Sequence, residues 1–351
     1  MTEEPDDRET IEKIRKLKEA LGERLIILTH HYQRKEIVDL GDFKGDSFGL
    51  SQRAAADKDA QYIVFCGVHF MAESAEILSQ PHQTVQIPAI EAGCPMADMA
   101  DSVLVERAWE ALDQVVGAAK ITPMVYMNSD AELKAFCGKN SGLVCTSSNA
   151  PVAFDWAYSQ REKILFFPDQ HLGRNTGNQK GFKPEEMIVW DPEKELGGNS
   201  PDAIKKATLI LWDGYCHVHT RFSVAHILSM RERFPDAKVV VHPECPESVV
   251  QQADAAGSTS FIVNYVKEAE PGSVIIIGTE INLIDRLARE YPDRKVLDLH
   301  NSLCPNMFKI NLRNLLWTLE NIGKVNVIEV PDHVKADARK ALDRMLALAS
   351  A

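Results

Sequence analysis

The sequence has no excess of positive charge: 39 Lys and Arg stand against 51 Asp and Glu, a formal net charge of −12. No Lys/Arg run interrupts that balance, and an acidic surface repels phosphate backbones, so nucleic-acid binding is not expected. Long apolar runs are missing as well. None approaches the roughly 18–20 residues needed to span a bilayer, which argues against a membrane segment. The first residues, MTEEPDDRET, carry five acids and no apolar core, unlike a signal or transit peptide. Cysteine is sparse and odd in number, seven in 351 residues, so a disulfide framework is not expected. These absences point to a cytoplasmic protein with free thiols, some of them buried and some available to metal. With 45% hydrophobic and 26% charged residues the composition is that of an ordinary globular chain, long enough for two or three domains.

What the sequence does contain is alternation. An amphipathic helix is expected over 8–21, through Ile11, Ile14, Leu17 and Leu21, and another from Asp332 to Ala351. Between them, ten short apolar runs alternate with helical patterns: LIIL (25–28), YIVF (62–65), TVQI (84–87), MVYM (124–127), LVC (143–145), ILFF (164–167), LILW (209–212), KVVV (238–241), VIII (274–277) and KVLDL (295–299). All are too short for buried helices. The alternation predicts an α/β fold with parallel sheets.

Four chemical landmarks recur three times in one order. A strand ends in His30, in Asn128 and in His242; a hydroxyl follows 17, 19 and 17 positions later, at Ser47, Ser147 and Thr259. A second strand then turns into a helix at FCGVHF, FFPDQHL and IIGTEIN, and a last strand opens a loop holding Cys94, Cys216 or Cys304. A true threefold repeat is the simplest reading. Ligands of parallel α/β sheets bind beyond the carboxyl ends of the strands, so three such units facing one another would enclose one central pocket. The middle unit is longer, with an insertion placed near 171–206.

Cys94, Cys216 and Cys304 stand apart because each lies in a Gly-, Pro- or Asn-containing loop after the same strand. Their separations, 122 and 88 residues, exclude zinc ribbons and the usual ferredoxin spacings. Three converging thiolates suit a [4Fe–4S] cluster that lacks a fourth Cys and so leaves one open iron, a Lewis acid. A three-Cys zinc site fits the count, although zinc usually adds His or a fourth Cys at close spacing. Cys66, Cys137 and Cys145 read as buried apolar residues. Cys245 is a competing ligand with no counterpart in the other units.

At the strand ends, His30-His31-Tyr32, Tyr126-Met127-Asn128 and His242-Pro243-Glu244 form matched polar triplets. Glu244 is the best general acid/base among them. Ser47, Ser147 and Thr259 precede helical stretches, where they would cap and also leave free N–H groups for an anion. His217 and His219 alternate in DGYCHVHT without an evident role.

Taken together, HHYQ, GDS, EAGCPMADM, YMNS, CTSSNA, FPDQHLG, GYCHVHTRF, HPEC, GST, GTE and the final Cys-x-x-Met resemble the quinolinate synthase family, in order from about residue 25 to 310. The resemblance implies three similar αβα domains around a pseudo-threefold axis: 1–104, 105–217 and 218–305, with 306–351 packing back on the first. It implies a [4Fe–4S] cluster on Cys94, Cys216 and Cys304, with one iron open. It places substrate on His30, Ser47, Tyr126, Met127, Asn128, Ser147, His242, Pro243, Glu244 and Thr259, with Glu244, His30 and Tyr32 catalytic. The implied reaction condenses iminoaspartate with dihydroxyacetone phosphate to quinolinate, in de novo NAD biosynthesis, in a monomer or homodimer. L-aspartate oxidase would be the supplier of the unstable imine. One departure is clear: some relatives carry Cys-x-x-Cys-x-x-Cys near the last ligand, whereas here the run His300-Asn301-Ser302-Leu303-Cys304 offers no thiol switch. Two rival functions remain at this point, another iron–sulfur dehydratase or lyase and a non-catalytic iron–sulfur sensor.

Overall fold

The computed structural model describes residues 7–348. The acidic residues 1–6 and the last three positions of the expected carboxyl-terminal helix lie outside the described residues. The chain is α/β and forms three short, wholly parallel sheets flanked by helices. The first contains β1 (Leu25–His30), β2 (Phe43–Gly45), β3 (Tyr62–Cys66) and β4 (Thr84–Gln86), in the order β2-β1-β3-β4. The second contains β5 (Ile121–Tyr126), β6 (Leu143–Cys145), β7 (Lys163–Phe167), β8 (Met187–Trp190) and β9 (Leu209–Trp212), in the order β6-β5-β7-β9-β8. The third contains β10 (Lys238–Val241), β11 (Ala255–Ala256), β12 (Val274–Gly278) and β13 (Lys295–Asp298), in the order β11-β10-β12-β13.

All ten apolar runs are strands. The inner ones, such as β1, β5 and β7, are buried on both faces, which is why they read as continuous hydrophobic stretches rather than alternating ones. The three strands without such a run are β2, β8 and β11. β2 and β11 sit at sheet edges, where FKG and AA need bury little. β8 lies within the expected insertion and adds a fifth strand to the second sheet. The insertion is shorter than 171–206, because its opening residues form helix Gln170–Gln179. That helix is the counterpart of His69–Leu78 and Ile281–Glu290, which follow β3 and β12.

One continuous core joins the first two sheets and the carboxyl-terminal helices, while the third sheet carries a separate apolar layer on each face. Helix Leu312–Glu320 lies against the amino-terminal helix Asp7–Leu21. Helix Asp332–Leu348 seats itself mainly on Ala131–Lys139, beside the second sheet, rather than on the first. Gly138 permits this: a Cβ there would stand 1.8 Å from the Asp337 carbonyl oxygen.

Candidate functional site

Because every strand pairs in parallel, the strand-end landmarks gather at the carboxyl edges of the sheets. They line one cavity holding about 710 Å³ of empty space, its mouth included. His30, Tyr32, Ser47 and Cys94 enter it from the first unit, Tyr126, Asn128, Ser147 and Cys216 from the second, and His242, Glu244, Thr259 and Cys304 from the third. Its polar groups are well shielded: His30, Tyr126, His242, Glu244 and Thr259 are at most 4% exposed. Met127 and Pro243, expected to touch substrate, are not among the lining residues. The chain is extended here, so Met127 points opposite to Tyr126 and its sulfur meets the Ser74 hydroxyl at 3.2 Å. Pro243 faces a neighbouring cleft, and Asn175 binds its carbonyl at 2.8 Å. His31 also turns away, to within 2.9 Å of the buried Arg286 guanidinium.

The hydroxyls differ from expectation in one respect. Asp46 caps helix Ser47–Ala56 through the Gly49 amide, and Ser258 caps helix Thr259–Glu268 through the Phe261 amide. Asn149, at the cap position of helix Ala150–Gln160, binds Thr146 instead. Ser47, Ser147 and Thr259 are therefore free of capping duty. Ser147 lies 3.2 Å from His242 Nε2. Asp46 does more than cap: its second oxygen accepts the Ser148 hydroxyl at 2.6 Å and the Ser260 hydroxyl at 2.7 Å, tying all three units together.

A hydrogen-bonded chain crosses the cavity. The Tyr32 hydroxyl lies 2.6 Å from Thr279 Oγ1, which lies 3.1 Å from His219 Nε2. His219 Nδ1 lies 2.8 Å from Glu244 Oε2, and Glu244 Oε1 accepts the Tyr126 hydroxyl. His219 also stacks on His242, with ring centroids 4.5 Å apart. His219 and Thr279 thus belong to the network of the cavity, a place that sequence reasoning gave to neither. Burial opposes a charge on Glu244, but His219, His242 and the Tyr126 hydroxyl outweigh it and hold the carboxyl below its usual range. Burial lowers His30 to about 4 and His242 to about 3, so both imidazoles are neutral near pH 7. Burial, then the nearby Glu244 charge, raise the phenols of Tyr32 and Tyr126 well above 10. The site thus holds one ionised carboxylate beside the neutral imidazoles of His30 and His242 and the protonated phenols of Tyr32 and Tyr126.

The three cysteine loops are held in one way. The first residue of the helix after β3, β7 or β12 donates its N–H to the carbonyl two residues before the cysteine: His69 to Ala92 at 2.8 Å, Gln170 to Gly214 at 2.9 Å and Ile281 to Ser302 at 3.0 Å. The thiols of Cys94, Cys216 and Cys304 are half-buried and form no disulfide. Burial raises the Cys94 thiol to about 12 and Cys216 and Cys304 above 9, so a metal must displace their protons. Cys245 is excluded from this set: it is buried in the third unit's core, and its thiol faces the Gly278 carbonyl. Cys66, Cys137 and Cys145 are fully buried, as expected. Three equivalent sulfurs on one cavity fit an iron–sulfur centre. A second donor set is present, with ligand atoms of Cys216, His219 and Glu244 within 4.8 Å of one another. Its His and Glu are already paired with each other, and further with Thr279 and Tyr126.

Comparison with known proteins gives one family. Residues 12–347 match the family described as quinolinate synthetase A protein. A quinolinate synthase of Geobacillus thermodenitrificans is 50% identical over 350 residues, covering 98% of this chain and 95% of the relative. That of Acidobacterium capsulatum is 49% identical, covering 97% and 93%, and that of Corynebacterium glutamicum 47%, covering 98% and 89%.

Proposed function

Because the chain belongs to the quinolinate synthetase A family, we propose that it is a quinolinate synthase. It would condense iminoaspartate with dihydroxyacetone phosphate and release phosphate and water, a transferase of pyridine nucleotide biosynthesis. The observation that carries the reading is the cavity in which three thiols, three hydroxyls and one buried Glu–His pair converge.

Cys94, Cys216 and Cys304 would hold a [4Fe–4S] cluster, which supplies a Lewis acid when bound. The chain's own residues supply the rest. No Lys or Arg lines the cavity, so the anionic ends of the substrates rest on hydroxyls, imidazoles and helix amino termini. The free N–H groups and hydroxyls at Ser47 and Thr259 take the phosphate, beside His30. Tyr126, Asn128, Ser147 and His242 orient the dicarboxylate. Glu244 removes the proton beside the carbonyl, and His219 fixes the carboxylate that receives it. Tyr32, reached through Thr279, returns a proton to a departing oxygen. The enclosed cavity keeps water from the imine.

The experiment is anaerobic. Protein reconstituted with iron and sulfide is given dihydroxyacetone phosphate and iminoaspartate, made in situ from oxaloacetate and ammonium, and quinolinate is measured by chromatography. Iron-replete protein that forms no quinolinate sinks the proposal. A second reading, a single zinc ion on Cys216, His219 and Glu244, rests on their proximity. It would remove the proton acceptor, and metal analysis separates the two: iron with sulfide against one zinc per chain.

A further inference from the structure

The three loops share their main-chain clamp but not what stands behind the cysteine. The cap residue of the clamping helix is Val68 in the first unit, Asp169 in the second and Glu280 in the third. Val68 offers no side-chain bond. The other two caps are carboxylates with no exposed surface.

Glu is not a favoured cap; Ser, Thr, Asp and Asn are, and each would satisfy a helix at lower desolvation cost. The extra length has a visible use. Glu280 Oε2 accepts the Asn282 amide of its own helix at 2.8 Å, while Oε1 accepts the amide of Cys304 at 3.3 Å. Asn282 in turn donates to the Tyr32 carbonyl at 3.0 Å, which joins the cysteine loop to the first unit. Asp169 shows only the first of these contacts: Oδ1 accepts the Leu172 amide at 2.7 Å, and Oδ2 is buried without a hydrogen-bond partner. Ser302 links the two loops, its hydroxyl donating to the Val218 carbonyl at 2.7 Å.

We propose that Glu280 is a positioning residue of the metal centre, using one carboxylate oxygen for its helix and the other for the backbone of a ligand cysteine, Cys304. The inference rests on the three-cysteine reading above. The Cys304 loop is thereby set before the metal arrives, and its sulfur is not left to chain motion once the metal is bound. Partners that orient metal ligands typically change metal affinity 10- to 100-fold.

Serine separates the two duties, because its hydroxyl still caps a helix but cannot reach the cysteine. Wild type, Glu280→Ser and Asp101→Ser are reconstituted anaerobically, and iron release to a chromogenic chelator is timed alongside the absorption and EPR spectra. Asp101 caps helix Ser102–Val116 through the Leu104 amide and bonds no cysteine, so it controls for capping alone. The expected result is iron release at least about tenfold faster from Glu280→Ser than from wild type, with Asp101→Ser unchanged. Wild-type release from Glu280→Ser, or equal acceleration in Asp101→Ser, would overturn the proposal. Should Glu280→Ser not accumulate as folded protein, Glu280→Asp takes its place. It keeps a carboxylate for the cap but is one methylene too short to hold both amides, so the same acceleration is expected and its absence is equally fatal. A wild-type chain that takes up no iron overturns the three-cysteine reading, and this inference with it.

Discussion

Replacing Glu244 by Gln tests the proton transfer most directly. The carboxylate is buried and makes two contacts, Oε2 with His219 and Oε1 with the Tyr126 hydroxyl. An amide fits the same volume. Its carbonyl can accept from His219, and its NH2 can donate to the phenol oxygen once that hydroxyl rotates. The structural loss is therefore one charge-assisted bond weakened to a neutral one, about 1–2 kcal/mol. That is small beside the roughly 5–15 kcal/mol of a folded domain. Catalytically the loss is larger, because an amide takes up no proton. General acid/base groups contribute about 10²–10⁴-fold, equivalent to about 3–5 kcal/mol of barrier at 1.36 kcal/mol per decade. The assay is anaerobic quinolinate formation per iron-replete chain. Iron content, melting temperature and the spectral response to added quinolinate are measured on the same sample, since a lost cluster would imitate a lost base. Turnover within about threefold of wild type in iron-replete protein that still binds product would refute the assignment and move attention to Tyr32 and His30.

The other predictions are brief. Thr279→Val breaks the link between Tyr32 and His219 without changing charge, so kcat should fall by tenfold or more while Thr279→Ser restores it; equal activity of both removes that link from the reaction. Single Cys94→Ser, Cys216→Ser and Cys304→Ser variants should lose most of their iron, whereas Cys66→Ser, Cys137→Ser and Cys145→Ser should keep it at some cost in stability. Iron retained in Cys216→Ser but lost in Cys245→Ser would reverse the ligand choice. Gly138→Ala forces a methyl onto the Asp337 carbonyl and should destabilise by about 3 kcal/mol or more, the upper end for overpacking, read by chemical denaturation. Burial and the nearby Arg286 lower His31 to about 3, beneath its unfolded value of about 6.5, so the folded chain resists a proton that the unfolded chain accepts. Its stability contribution is complete above about pH 6.5 and falls as pH drops, by about 2 kcal/mol at pH 5; His31→Asn, which keeps an acceptor for Arg286, should flatten that slope between pH 7 and 5.

Much of this was legible in the chain, for physical reasons. Strands inside parallel sheets are apolar on both faces, so the central strands stood out, as did the edge strands β4, β6 and β13, while the edge strands β2 and β11 had no apolar signal to give. The landmarks were legible because they sit where parallel strands end, and function concentrates there. The capping error was avoidable. Asp46 precedes Ser47 and Ser258 precedes Thr259, and either is at least as good a cap as its neighbour. The side chains of Met127 and Pro243 leave the cavity to their neighbours because alternate residues of an extended chain face opposite ways, which a triplet treated as one surface does not convey. His219 and Thr279 were beyond reach. Glu244 is 25 residues from His219 and Thr279 is 60 away, and no spacing rule joins such positions. Only the assembly of the units brings them together.

That assembly also explains which parts of the repeat stay alike. The cysteine and the main-chain clamp behind it occur three times almost unchanged, as expected where three ligands must meet one centre on equal terms. The strand-end residues differ: His30 with Tyr32, Tyr126 with Asn128, and His242 with Glu244. A threefold array of identical groups would look the same from every side. At the strand ends the carboxylate occurs once, at Glu244, and the hydrogen-bonded route from it through His219 and Thr279 ends at Tyr32, in a different unit. The difference between units gives the cavity a direction, with a carboxylate on one wall and a phenol on another, although the site is built from three copies of one plan.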